Sequence, residues 1–239
     1  MQSSPSESTP LHTVIQCLLD TVARCEQEIG RALGSTVIVA ASKTQHINTI
    51  RSAFGSGITD FGENYVQELL QKVDSLRDIP IRWHFIGHLQ RNKVKYIAPF
   101  IAMIQSVDSF ALAQEISKQA AKHNRIIEIL LQVHTSGEET KSGIAPDSVV
   151  EVARQCLTLP NIRLCGLMTI HAPSDNGQDI RREFRVLSHL RAEVAEKLDA
   201  AHVTELSMGM SGDYQIAIEE GATIIRPGTA LFGERIYTS

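Results

Sequence analysis

Apolar and polar positions along this chain follow two rhythms. From Leu11 to Leu33 the apolar residues Val14, Cys17, Leu18, Val22, Cys25, Ile29 and Leu33 recur at three- and four-residue spacing. That spacing predicts an amphipathic helix, and Gly34, directly after the last of them, predicts its end. Beyond it, short apolar β-branched runs take turns with helical patterns. The strand candidates are "TVIVAAS", "ITDFG", "RWHFIGH", "MIQSVD", "IIEILLQVH", "RLCGLMTI", "VTELSMGM" and "TIIRPG". The helical pattern is clearest over 109–123, 146–157, 179–199 and 212–220. Strands alternating with helices predict a parallel sheet with right-handed crossovers. Eight such units in 239 residues predict an α/β fold, a single (β/α)8 TIM-type barrel with an extra N-terminal helix and no second β-domain. An open, doubly wound sheet is the alternative, because periodicity does not distinguish closure.

The first ten residues, "MQSSPSESTP", are polar and proline-bearing, with neither a basic n-region nor an apolar h-region. They read as a disordered tail and not as a signal peptide, which leaves 11–239 as one domain. A net charge of −4 and a pI near 6.1 argue against general binding to nucleic acid or to a membrane surface. No run reaches the roughly 18 apolar residues of a membrane span. The cysteines Cys17, Cys25, Cys156 and Cys165 lack metal-type spacing and read as small apolar fillers in a reducing, cytoplasmic compartment.

A barrel reading gives the strand ends their interest, since barrel enzymes draw their functional side chains from there. Lys43, Asn64, His84, His88, His134, Met168, Ser207 and Arg226 all fall at or just after such ends. A lysine at the end of an apolar run is by default a solvated surface residue. Partly desolvated at a barrel mouth, its amine instead loses charge readily and can form a Schiff base with a carbonyl. In "SMGMSGDY", the small residues Ser207, Gly209, Ser211 and Gly212 let backbone N–H groups approach an anion, and "RPGTALFG" repeats the theme with Gly228 and Thr229. The loops after the seventh and eighth strands are the customary phosphate site of a barrel. Arg226 allows two readings, a bidentate phosphate partner or the partner of a heteroaromatic ring nitrogen. His84 and His88 have the spacing of paired zinc ligands, but they lack an HExxH glutamate and a helix, so no metal site is expected. Lys141 in "KSG" reads as a solvated loop residue, with contact to a bound anion as the alternative.

Together "ASKT", "FGENYVQE", "WHFIGHLQRNK", "KSGI", "GLMTI", "ELSMGMSGDY" and "GATIIRPGTALFG" resemble, in order, the pyridoxal phosphate homeostasis protein family. These are the YggS/PROSC-type, alanine racemase N-terminal-domain-like proteins. The resemblance runs from about Val37 to Gly233. It implies a barrel holding pyridoxal 5′-phosphate as an internal aldimine on Lys43. It further implies that Ser207, Gly209, Gly228 and Thr229 hold the phosphate, that Arg226 meets the pyridine nitrogen, and that Asn64, His84 and Met168 line the ring. Two positions depart from the family pattern: His134 stands where an asparagine is expected, and Pro227 where an aliphatic residue is.

Three functions compete on these residues. The first, implied by the resemblance, is a non-enzymatic, monomeric carrier serving vitamin B6 homeostasis, with PLP-dependent apoenzymes as recipients. The second is a PLP-dependent racemase or decarboxylase. Racemases of this fold type add a C-terminal β-domain, and none is expected here because the chain stops six residues past Gly233. Two-base racemisation also needs a proton donor on each face of the ring, and only Lys43 is evident. The third is a cofactor-free, Schiff-base aldolase-like barrel, which explains Lys43 and the phosphate loops but gives Arg226 no ring nitrogen to meet.

Overall fold

The computed structural model describes residues 10–135 and 142–233. Its strands are β1 (Val37–Ala41), β2 (Asp60–Glu63), β3 (Arg82–Phe85), β4 (Met103–Val107), β5 (Ile127–Gln132), β6 (Ile162–Met168), β7 (Glu205–Ser207) and β8 (Ile224–Ile225). All are parallel and pair in chain order, and β8 returns to β1 through Val37↔Ile224 and Ile38↔Ile225. The sheet is therefore a closed barrel, which decides against the open doubly wound alternative. The helices are α1 (Leu11–Glu28), α2 (Ile47–Gly55), α3 (Val66–Ser75), α4 (Val94–Ile97), α5 (Phe110–Lys122), α6 (Val149–Leu157), α7 (Gly177–Lys197), α8 (Tyr214–Glu219) and α9 (Thr229–Phe232). Among the described helices, none is long and apolar enough to cross a membrane. The tail expected over residues 1–10 falls almost wholly outside the described residues, and Pro10 is the N-cap of α1.

Alternation along the strands divides the core in two. Val39, Met103, Leu130, Cys165, Met168 and Ile224 meet inside the barrel. Their neighbours Ala40, Ile104, Ile129, Leu131, Leu164, Leu167 and Ile225 face out, into the larger cluster shared with the helices. Each fully buried leucine or isoleucine there contributes about 1.5–3 kcal/mol. Strict period-two alternation would turn Met168 outward, away from Cys165. An irregularity in β6, where Ile129 pairs Leu164 but Leu130 pairs Gly166, resets the parity and brings Met168 inside. Gly166 is required there, because a Cβ would overlap the Glu205 carbonyl of the next strand.

The first helix ends five residues earlier than its periodicity predicts. Gly30 takes φ 71°, its N–H bonds Gln27 O, and the Arg31 N–H bonds Glu26 O at 2.8 Å. That pair of bonds is a Schellman stop, so the glycine at 30, not the one at 34, closes the helix. The buried Glu26 carboxylate then accepts from Gly34 N, Ser35 Oγ and Thr36 N, and the chain turns around it into β1. Cys25, Cys156 and Cys165 are the buried fillers expected, whereas Cys17 is exposed, because it falls on the outer face of α1. Burial pushes the Cys156 thiol up to about 12, which keeps it unreactive.

Candidate functional site

A cavity of about 590 Å³ opens at the C-terminal end of the barrel. Asn64 after β2, Gly87 and His88 after β3, Gln132 at the end of β5 and His134 after it, His171 after β6 and Met210 after β7 line it. Of the strand-end candidates, Asn64, His88 and His134 line this cavity, whereas Lys43, His84, Met168, Ser207 and Arg226 are not among its lining residues. Lys43 lies in the turn directly after β1 and is half-buried. Thr44, the next residue, has φ 67°. A β-branched residue there is a conformational outlier, and such outliers persist only where neighbours hold them. Asn64 Oδ1 is buried with no hydrogen-bond partner, so an acceptor beside the cavity stands open to a donor.

Beneath the mouth, inward-facing polar residues form a column through the barrel. Asp60 Oδ1 lies 2.8 Å from His84 Nε2, and His84 Nδ1 lies 3.0 Å from Gln105 Nε2. Ser207 Oγ donates to Gln105 Oε1 at 2.6 Å and accepts from Arg226 Nη1 at 2.5 Å. Arg226 Nη2 completes the run by donating to Thr169 O at 2.7 Å. The amide of Gln105 donates to His84 while its oxygen accepts from Ser207, so His84 carries its proton on Nε2, toward Asp60. Burial lowers Arg226 to about 10, which still leaves it charged at neutral pH. For Asp60, burial acts to raise the carboxyl, but the hydrogen bonds from His84 and Thr59 prevail and hold it below its ordinary value.

This column relocates two residues relative to their sequence-based roles. His84, expected beside a ring at the mouth, is almost fully buried and lines a second cavity of about 400 Å³ with Asp60, Arg82, Glu128, Arg163 and Glu205. These residues stand toward the N-terminal ends of the strands, so His84 is one inward step too deep. Ser207, expected at a phosphate, turns its hydroxyl to Gln105 and Arg226 instead. Met168 is completely buried in the inner apolar cluster, forming floor more than wall.

The loops after β7 and β8 are joined by one hydroxyl. Ser211 Oγ accepts from both Gly228 N and Ala230 N at 3.0 Å, so an oxygen already sits where backbone donors of the two loops converge. Gly209 has φ 90°, and a Cβ on it would stand 2.5 Å from Ala217 Cβ. That position therefore needs glycine for both its conformation and its closeness to α8. Thr229 is exposed at the start of α9. Pro227, the departure from the family pattern, has no N–H to give but keeps its carbonyl's bond to β1, where Ala41 N donates to Pro227 O at 2.9 Å. His134, the other departure, is half-buried at the cavity wall, where its N–H bonds Ile144 O. Lys141 lies outside the described residues.

Several participants were not singled out in the sequence. His171 lines the mouth with Nε2 2.5 Å from Asp213 Oδ2 and Nδ1 2.5 Å from Ala172 O. Acceptors at both ring nitrogens favour the protonated ring, and the Asp213 hydrogen bond raises its pKa against the lowering effect of burial. Gln105 and Asp60 were legible only as polar interruptions in the apolar runs "MIQSVD" and "ITDFG". Among the described residues, no group of three His, Cys, Asp or Glu side chains could hold a metal ion.

Comparison with known proteins places this geometry. The family model described as "Alanine racemase, N-terminal domain" matches residues 19–236. The "Pyridoxal phosphate homeostasis protein" of Aquifex aeolicus is 44% identical over 220 residues, 92% of this chain and 96% of that protein. A crystal structure of an unknown protein from Bifidobacterium adolescentis superposes with a TM-score of 0.89 at 38% identity, covering 93% of this chain and 94% of its own. PipY of Synechococcus elongatus, solved with PLP bound, superposes with a TM-score of 0.80 at 34% identity, over 89% of this chain and all of PipY. By its motifs, its barrel and these matches, the chain belongs to the pyridoxal phosphate homeostasis proteins of the alanine racemase N-terminal-domain family.

Proposed function

We propose that residues 11–239 act as one unit that holds pyridoxal 5′-phosphate through a Schiff base to Lys43 and supplies it to PLP-dependent apoenzymes, without turning over a substrate of its own. The observation that carries this reading is the order of groups around the closure of the barrel. Adjacent strands β7, β8 and β1 deliver, in turn, the Gly209–Ser211 loop, Arg226 with Gly228, and Lys43. A phosphate cradle, a cation and an amine on three neighbouring strands match the three functional ends of this cofactor. Bound there, the cofactor supplies an aldehyde carbon and an electron-withdrawing ring.

The residues present suit that group. Lys43 Nζ would supply the amine for the covalent bond, the aldehyde oxygen leaving as water. Gly209, Ser211, Gly228 and Thr229 hold the phosphate through backbone N–H groups and hydroxyls. The buried Arg226 guanidinium would present positive charge to the ring nitrogen and keep it unprotonated, which would weaken the electron sink that racemisation and decarboxylation need. Ser207 acts through Arg226, and Met168 gives the site an apolar floor. Asn64 Oδ1 offers its open acceptor to a cofactor donor. His171, tied to acceptors on both sides, is poorly placed to release a proton, which favours holding over catalysis.

The test is the visible spectrum of the purified protein with added pyridoxal phosphate, beside Lys43→Ala, before and after borohydride. The expected result is a band absent from the variant, and reduction that fixes the cofactor's mass on the Lys43 peptide. A wild type without band or fixed mass would overturn the proposal. Fast exchange of the alanine α-proton with solvent would instead favour the racemase alternative.

A further inference from the structure

Behind Lys43, between the barrel and α3, lies a buried ionic cluster that the mouth does not use. Lys72 is 4% exposed and Glu63 completely buried. Lys72 Nζ donates to Ser42 O at 2.7 Å, to Glu63 Oε1 at 2.7 Å and to Glu68 Oε1 at 2.5 Å. All three of its protons therefore have acceptors. Ser42 Oγ donates to Glu63 Oε1 at 2.6 Å, and Thr44 N donates to Glu68 Oε1 at 2.5 Å. The residues on either side of Lys43 are thus both fastened to one cluster.

We infer that Glu63, Glu68 and Lys72 form a clamp that fixes the backbone on both sides of Lys43 and so aims its amine into the mouth. They are positioning residues, and the inference rests on the reading of Lys43 proposed above. Packing alone does not call for them. An apolar trio would fill the same space without desolvating three charges, and such replacements are often neutral or stabilising. What apolar side chains cannot supply is a directed donor for the Ser42 carbonyl and a directed acceptor for the Thr44 amide. Thr44 needs that acceptor, because its φ of 67° is strained for a β-branched residue and must be held. The bonds of the cluster run among its own members and to Ser42 and the Thr44 amide, on the backbone flanking Lys43. Burial raises the Glu63 carboxyl against the pull of Lys72, in keeping with an anion kept out of water.

The test compares the full chain with Glu68→Ala, Lys72→Met and the double variant Glu68→Ala/Thr44→Gly. Pyridoxal phosphate is added to each, and the growth of the absorption band gives a rate and a dissociation constant. Release of the Thr44 amide is expected to weaken binding and slow band formation about tenfold in Glu68→Ala. Glycine adopts the positive φ without strain, so the double variant is expected to recover most of that loss, a rescue that a merely structural role would not produce. In the cofactor-free protein, amide exchange over residues 42–45 is expected to quicken in Glu68→Ala and Lys72→Met. If Lys72→Met fails to fold, Glu68→Ala and its rescue decide. Variants that bind like the wild type, with unchanged exchange, overturn the clamp alone. A wild type with no lysine-fixed cofactor overturns the reading of the mouth, and this role with it.

Discussion

Replacing Ser207 by alanine removes one oxygen from the middle of the interior column and strands two groups. Arg226 Nη1 loses its 2.5 Å acceptor, and Gln105 Oε1 loses its 2.6 Å donor. Both lie in a nearly water-free interior, with Gln105 completely buried and Arg226 4% exposed. A buried polar group left without its partner costs about 1–3 kcal/mol, so Ser207→Ala should cost roughly 2–6 kcal/mol. That is a large share of the 5–15 kcal/mol that usually separates folded from unfolded chains. Ser106→Ala is the comparison. Among the described residues its buried hydroxyl donates to Gly87 O, so one neutral carbonyl is stranded, at about 1–3 kcal/mol. Urea unfolding at neutral pH measures both, with the free energy taken from midpoints at constant slope. If Ser207→Ala costs no more than Ser106→Ala, the column is not a connected network and the argument from it fails.

Other outcomes follow from single positions. Gly209→Ala places a methyl 2.5 Å from Ala217 Cβ at φ 90°, so roughly 2–5 kcal/mol of stability should go, seen as a lower urea midpoint. Asp213→Asn replaces the charged acceptor that raises His171 by a neutral amide. The wild type's extra stability from that pair is full below the ordinary imidazole value of about 6.5 and fades as pH rises through the elevated one. The variant's unfolding free energy should be flatter over that window, and a difference that persisted unchanged to high pH would refute the linkage. Glu26 has the opposite sign. Burial acts to raise it, but hydrogen bonds from Thr36, Gly34 and Ser35 hold it low, so its contribution is present above about 4.5 and is lost on acidification. Glu26→Gln should therefore shrink the stability lost on acidification through that range, read by thermal unfolding at stepped pH.

The barrel was legible because each strand run is apolar enough to be buried on both faces, and Lys43 and Arg226 broke those runs at strand ends. What escaped was set by geometry that residue types do not announce. The β6 irregularity at Gly166 reverses which side chains face inward, so counting alone could not tell floor from wall at Met168. His84 stands next to the last residue of β3, which ends at Phe85, yet its ring meets Asp60 and Gln105 and lines the lower cavity, a direction that its place in the strand does not announce. The pairing of Lys72 with Ser42 joins positions thirty residues apart in sequence, and no local pattern encodes it. The early stop of α1 turned on which of two glycines took the left-handed conformation.

Barrels are commonly divided into a reactive end and an end that only holds the fold together. The run from Asp60 through His84, Gln105 and Ser207 to Arg226 crosses that division, since Asp60 and His84 line the lower cavity and Arg226 follows β8, the strand paired with Lys43's. The two ends of this barrel therefore share one proton-ordered wire, whose direction is fixed by which oxygen each amide and hydroxyl faces. Reversing any one link obliges its neighbours to reorient or go unpaired. A side chain changed on the rim around Asp60 is therefore expected to alter the hydrogen bonding of the buried Arg226 guanidinium, without touching any residue of the mouth itself.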